Sequence, residues 1–196
     1  MKIFIYFILS VLLFGQSAIA MPEFSSDSPA PGNMRFNWIH GSLSAKENAD
    51  VRVQVHRYNE HTYILRQNPA VHWEAPFMYL IFGDKQAVLL DGGATAEADY
   101  FPIRKTVDAV IQRWKQANGV DKLQLIVLPL GSDASQTEGL SQFKNRPNTT
   151  VMTATLAGRK RLMRGKQMSS LDLGGRQLAL LATPGMDEFA LTLYDQ

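Results

Sequence analysis

The chain has no cysteine. That excludes disulfides, a lipid-bearing cysteine and any thiolate metal site. Histidine is scarce: His40, His56, His61 and His72 are the only four in 196 residues. All four precede the first helix-length apolar pattern, and no two have the spacing that places paired ligands on one helix face. An excess of one charge is also missing. The 20 basic and 18 acidic residues leave +2, which gives no basis for nucleic-acid binding or for general membrane attraction. No apolar run reaches the roughly 20 residues that a membrane span needs.

The longest apolar run is Ile3–Phe14, preceded by Lys2 and followed by Ser17-Ala18-Ile19-Ala20. A short basic start, an apolar middle and small residues at −3 and −1 form a secretory signal peptide over residues 1–20. An uncleaved N-terminal anchor is the alternative. Cleavage after Ala20 predicts a periplasmic or secreted protein with no stable membrane anchor. Residues 21–34 are rich in Ser, Pro, Asp and Gly and are expected to form a disordered leader. Residues 35–196 then form one domain, which must stand on its own hydrophobic core. The sequon at Asn148-Thr149-Thr150 is read as coincidental.

Alternation at Val51, Val53 and Val55, a turn at Asn59-Glu60-His61 and the return Thr62–Leu65 predict a hairpin. Phe77–Phe82 and Ala87–Leu90 are strands, the second ending at Asp91-Gly92-Gly93. Ile103, Val107, Val110, Ile111 and Trp114 recur at helical spacing and predict a helix over 102–116, with Pro102 at its first turn. Leu123–Leu128 is a buried strand of the parallel type. A second helix is expected to begin at 138–143. A short strand over 150–154, a hairpin over 171–181 with a Gly-Gly turn, and a strand over 189–194 follow. Hairpins, one β-α-β crossover and more hairpins make a mixed α/β (α+β) layer structure.

Four segments in this order resemble the metallo-β-lactamase superfamily. Val88–Gly93 resembles its strand ending in Asp-Gly-Gly, and Leu125–Gly139 its strand and metal loop. Leu171–Leu181 resembles the hairpin before its third histidine. Thr183-Pro184-Gly185-Met186 resembles Thr-Pro-Gly-His, with Leu193-Tyr194-Asp195 ending the next strand. The resemblance implies the first half of an αββα sandwich, a mixed sheet with flanking helices. It also implies a bare sheet face where the second half of that family would pack, and therefore a homo-oligomer or a protein partner covering it.

The same resemblance implies zinc chemistry, and the residues depart from it. The family's loop runs Thr-His-x-His-x-Asp-His-x-x-Gly. Anchored on Gly139, its ligand positions fall on Gly131, Asp133, Ser135 and Gln136, with Met186 in the third-histidine place. Zinc needs three or four His, Asp or Cys donors converging at about 2 Å. It then lowers the pKa of bound water to about 7. Glycine has no donor, serine and glutamine are weak ones, and a thioether suits softer ions. Asp133 alone cannot hold the ion, so no cofactor is expected. Asp91 resembles the aspartate that supports the loop and is expected to stabilise a turn.

Several residues are open to two readings. Ser135-x-x-Glu138 has the pattern of a capping box, and the competing role of nucleophile lacks a neighbouring base. His56 and His61 are surface imidazoles of a hairpin, or face each other. Arg159, Lys160, Arg161, Arg164 and Lys166 form a solvated basic face, or bind an anion. Trp38, Trp73, Phe77 and Tyr79 pack in the core, or line a cleft. The expectation is a secreted metallo-β-lactamase-fold protein without hydrolase activity, in a binding role or as a non-functional fragment. The competing expectation is an active hydrolase of an ester, thioester or lactam.

Overall fold

The computed structural model describes residues 32–42, 44–185 and 187–195. The expected signal peptide, most of the leader and Met186 lie outside the described residues. All strands and both hydrophobic clusters fall within the compact unit Pro31–Gln196.

Among the described residues nine strands form two sheets. β1 (Val53–Asn59), β2 (Thr62–Gln67), β3 (Phe77–Phe82) and β4 (Gln86–Leu90) make an antiparallel meander. α1 (Ile103–Asn118) carries the chain to β5 (Gln124–Leu128), which runs parallel to β4, and β6 (Thr149–Val151) is parallel to β5. α2 is a single turn, Ala134–Thr137, continued by a 3-10 helix over Glu138–Phe143. α3 (Leu156–Met163) precedes a separate antiparallel sheet of β7 (Met168–Asp172), β8 (Gln177–Ala182) and β9 (Leu191–Asp195).

The large sheet is apolar on both faces, as a partly parallel sheet with covers on each side must be. On one face Leu65, Met78, Leu80, Phe82, Leu89 and Val127 meet the predicted helical stripe of α1, every member of which is buried. On the other face Ile81, Val88, Leu90 and Leu128 pack against Leu178, Leu180 and Leu191 of the small sheet and against Phe189. The face expected to be bare is therefore covered in its centre by the protein's own second sheet. Toward β1 it is crossed by residues 33–39. There Gln54 holds the Ile39 N–H and donates to the Asn37 carbonyl, and the His56 ring meets the Asn33 carbonyl at 2.6 Å. On the far side of the small sheet, Met168 and Tyr194 are exposed. Met168, Leu181 and Thr192 are in register there, beside Ser170, Ala179 and Tyr194.

Arg176 binds the two sheets at one corner. Its guanidinium pairs with Asp195 of β9 and donates to Thr62 Oγ1 at 3.1 Å and to the His61 and Phe82 carbonyls of the large sheet. The Leu173 carbonyl accepts N–H groups from Lys85 and Gln86, closing the same edge.

Candidate functional site

The candidate site lies where β4 and β5 end. β4 delivers Asp91 in the left-handed region (φ 63), and its Oδ1 accepts the Leu130 N–H at 2.8 Å. The Gly92 N–H reaches the Gln136 carbonyl at 2.7 Å, and the Gly139 N–H reaches the Gly93 carbonyl at 3.2 Å. These bonds bring two backbones so close that a Cβ at Gly139 would sit 2.1 Å from the Gly92 oxygen. The Asp-Gly-Gly bend and the loop glycine are thus one contact, which explains why both are glycines.

The four ligand positions do not converge on a cation site. Gly131 is buried, and a Cβ there would lie 2.1 Å from Gln136 Oε1 and 3.1 Å from Asp187 Oδ2. The glutamine head fills the volume that a side chain at 131 would need. The Gln136 side chain also lies near enough to the Asp91 carboxyl to favour its charged form. Asp133 is exposed and caps α2 with its backbone only, its side chain making no capping bond. Ser135 is half-buried inside α2. The capping-box expectation is therefore wrong: the helix starts two residues earlier, so Ser135 and Glu138 are not at its cap and third position. Met186 lies outside the described residues.

Asp187 is the member that sequence reasoning missed. Its Oδ2 accepts the Ser132 N–H at 2.6 Å and its Oδ1 the Phe189 N–H at 2.7 Å. Its place beside Met186, two residues before the next apolar strand, was the available signal: aspartate there closes a turn on its own backbone. Desolvation raises the Asp187 carboxyl. The N–H groups of Phe189 and Ser132, the Ser132 hydroxyl and the charge of Arg159 outweigh it and hold the group below its ordinary value. Asp91 goes the other way. Burial dominates over the bond from Leu130 and the nearby Gln136 side chain and pushes its carboxyl from 3.8 up to about 6.

This donor set does not fit zinc. Asp91 and Asp187 are engaged by protein donors, Asp133 is a lone exposed carboxylate, and glycine, serine and an amide stand where further ligands belong. Among the described residues no three His, Cys, Asp or Glu side chains are grouped to hold a metal. The histidines lie on other elements. His56 is buried against Phe36 (ring centroids 4.1 Å), which corrects its reading as a surface imidazole, and His61 sits beside Trp114. Trp38 and Phe77 pack edge to face at 4.9 Å, and with Phe36, His56 and Tyr79 they line a groove of about 230 Å³. Trp73 is 80% exposed and is not part of it.

No protein-family model and no curated protein matches the sequence. Among solved structures the chain is similar to a metallo-β-lactamase from Pontibacter korlensis. The TM-score is 0.50 and the identity 15%, over 73% of this chain and 66% of that one. It is also similar to a mutant flavo di-iron protein from Thermotoga maritima, with TM-score 0.50 and 17% identity over 74% of this chain and 40% of that one. The chain thus spans just under two thirds of the first structure and two fifths of the second. These likenesses show the fold, which is metallo-β-lactamase-like over about three quarters of the chain.

Proposed function

We propose that this chain is a secreted, non-hydrolytic protein of the metallo-β-lactamase fold that serves as a binding scaffold. One observation carries the reading. The loop that holds metal in the resembling family is closed here on protein groups, with Asp91 accepting the Leu130 N–H, the Gln136 head seated over Gly131, and Asp187 accepting the Ser132 N–H. Water activation by a Lewis acid needs several converging donors, and of the described ligand positions only Asp133 carries a carboxylate. The loop keeps its shape through hydrogen bonds instead, so the surfaces around it remain available for recognition. Export rests on residues 1–20. A protein partner or second copy is met on the far side of the small sheet, where Tyr194 is exposed.

The deciding measurement is metal content with activity. After expression in zinc-replete medium and dialysis, elemental analysis is expected to find zinc far below one per chain. A lactam, a thioester and an ester are expected to hydrolyse no faster than with bovine albumin. One zinc per chain surviving dialysis, or saturable metal-dependent turnover, overturns the reading. N-terminal sequencing of the exported protein is expected to begin at Met21.

A further inference from the structure

The even charge balance of the chain hides a separation. From Met21 onward there are 19 basic residues, and five of them stand between Arg159 and Lys166, where no acid occurs. The other 14 are set against 18 acids. α3 organises this segment. Thr155 caps it, accepting the Gly158 N–H on its hydroxyl, while Gly158 and Met163 are buried and Leu162 packs against the inter-sheet cluster. With that side fixed inward, Leu156, Lys160 and Arg164 follow one another at four-residue spacing on the outer side, and Arg161 lies next to them.

The presentation is rigid. Arg164 (φ 52) and Gly165 (φ 71) turn left-handed, and their N–H groups close on the Arg161 and Lys160 carbonyls. Arg159 is engaged by the chain itself at the surface, donating to the Glu188 carbonyl beside Asp187. Lys160, Arg161, Arg164 and Lys166 are exposed, and among the described residues none of them forms an ion pair. Like charges at this spacing repel, and the helix C-terminus offsets only part of that. Two large apolar side chains bracket the cations: Leu156, 39% exposed, one turn before Lys160, and Met168, 49% exposed, two residues after Lys166.

We infer that α3 and the turn after it dock on an anionic lipid bilayer. Headgroup phosphates take the four cations, while Leu156 and Met168 enter the interface between headgroups and acyl chains. The apolar pair decides the source of the phosphate. A free phosphate or an acidic peptide would satisfy the cations and leave Leu156 and Met168 in water. Attachment is peripheral, since no helix among the described residues is long and apolar enough to cross a membrane.

The test is cosedimentation of residues 21–196, which keep the whole compact unit, with phosphatidylcholine vesicles with and without phosphatidylglycerol. Partition is expected only onto the anionic vesicles and is lost in high salt. Each cation contributes about fivefold near such a surface, so Lys160→Gln with Arg164→Gln lowers partition roughly 30-fold. Lys105→Gln with Lys144→Gln removes the same charge elsewhere on the surface and is expected to leave partition unchanged. Leu156→Ser with Met168→Ser is expected to lower it while sparing retention on immobilised inorganic polyphosphate. The inference is overturned by equal loss in the Lys105/Lys144 variant, by equal binding to neutral vesicles, or by a Leu156/Met168 variant that partitions like the parent.

Discussion

Asp91→Asn is expected to stabilise this protein at neutral and alkaline pH. Asp91 sits half-buried at the end of β4, and burial moves its carboxyl from 3.8 to about 6. A folded-state pKa above the unfolded value means that the folded state holds more protons between those two pH values. Stability therefore falls as pH rises through that window, and the charged form is a net liability above it. Two units correspond to about 3 kcal/mol. Asparagine keeps the oxygen that accepts the Leu130 N–H at 2.8 Å, and it tolerates the left-handed backbone at φ 63 better than most residues. It weakens the favourable influence of the nearby Gln136 side chain, at a cost of about 1 kcal/mol. The net gain at pH 8 is then about 2 kcal/mol, and at pH 4 the variant equals the parent or falls about 1 kcal/mol below it. Urea denaturation of both proteins from pH 4 to 8, with unchanged m-values, isolates Asp91 because every other titrating group cancels in the difference. A difference that stays flat across this range would refute the burial argument. A variant less stable than the parent at pH 8 would mean that the charge is needed, as it would be if the cleft bound a cation.

Two further substitutions probe the same architecture. Gly131→Ala is expected to displace the Gln136 head from the Gly131 pocket and cost about 1–2 kcal/mol, and most of that loss should vanish in a Gln136→Ala background. An equal loss in both backgrounds, measured by denaturant titration, would show that the two residues do not compete for one space. Arg176→Met is expected to cost about 3 kcal/mol, because it removes charge-assisted bonds that join β9 to the β1–β2 turn and strands Asp195 beside unpaired carbonyls. A midpoint unchanged from the parent would show that the apolar interface alone holds the sheets together.

Much of the fold was legible because its signals are local. The stripe Ile103, Val107, Val110, Ile111 and Trp114 has one period, and all five residues are buried in α1. The strand Phe77–Phe82 and the run Leu125–Leu128 are continuous apolar segments that only a sheet covered on both faces accommodates. What covers the second face was not legible. Leu178, Leu180 and Leu191 are as apolar as any strand residues, and nothing local says whether their sheet lies over β4 and β5 or extends away from them. That choice is made by long-range contacts such as Arg176 to Thr62, separated by more than a hundred residues. At the cleft, the absence of histidine was legible, but the replacement chemistry was not. Gly131, Gln136 and Asp187 are ordinary residues whose meaning is that they meet.

Their meeting constrains how such a loop diverges. A side chain at 131 and the present seat of the Gln136 head compete for one space, since the amide oxygen lies 2.1 Å from where the Cβ would be. A donor restored at 131 therefore has to move the Gln136 head away. Asp187 adds a second lock. Its two oxygens secure the N–H groups of Ser132 and Phe189, and the Leu130 carbonyl takes the Leu191 N–H at 2.8 Å. The loop is thereby tied to the start of β9. In a metal-bound loop the ion supplies the attraction that holds several electron-rich side chains together. Here the backbone N–H groups of Leu130, Ser132 and Phe189 are held by two carboxylates, Asp91 and Asp187. The loop is closed by bonds of the chain itself, and those bonds contribute to the sheet-to-sheet interface.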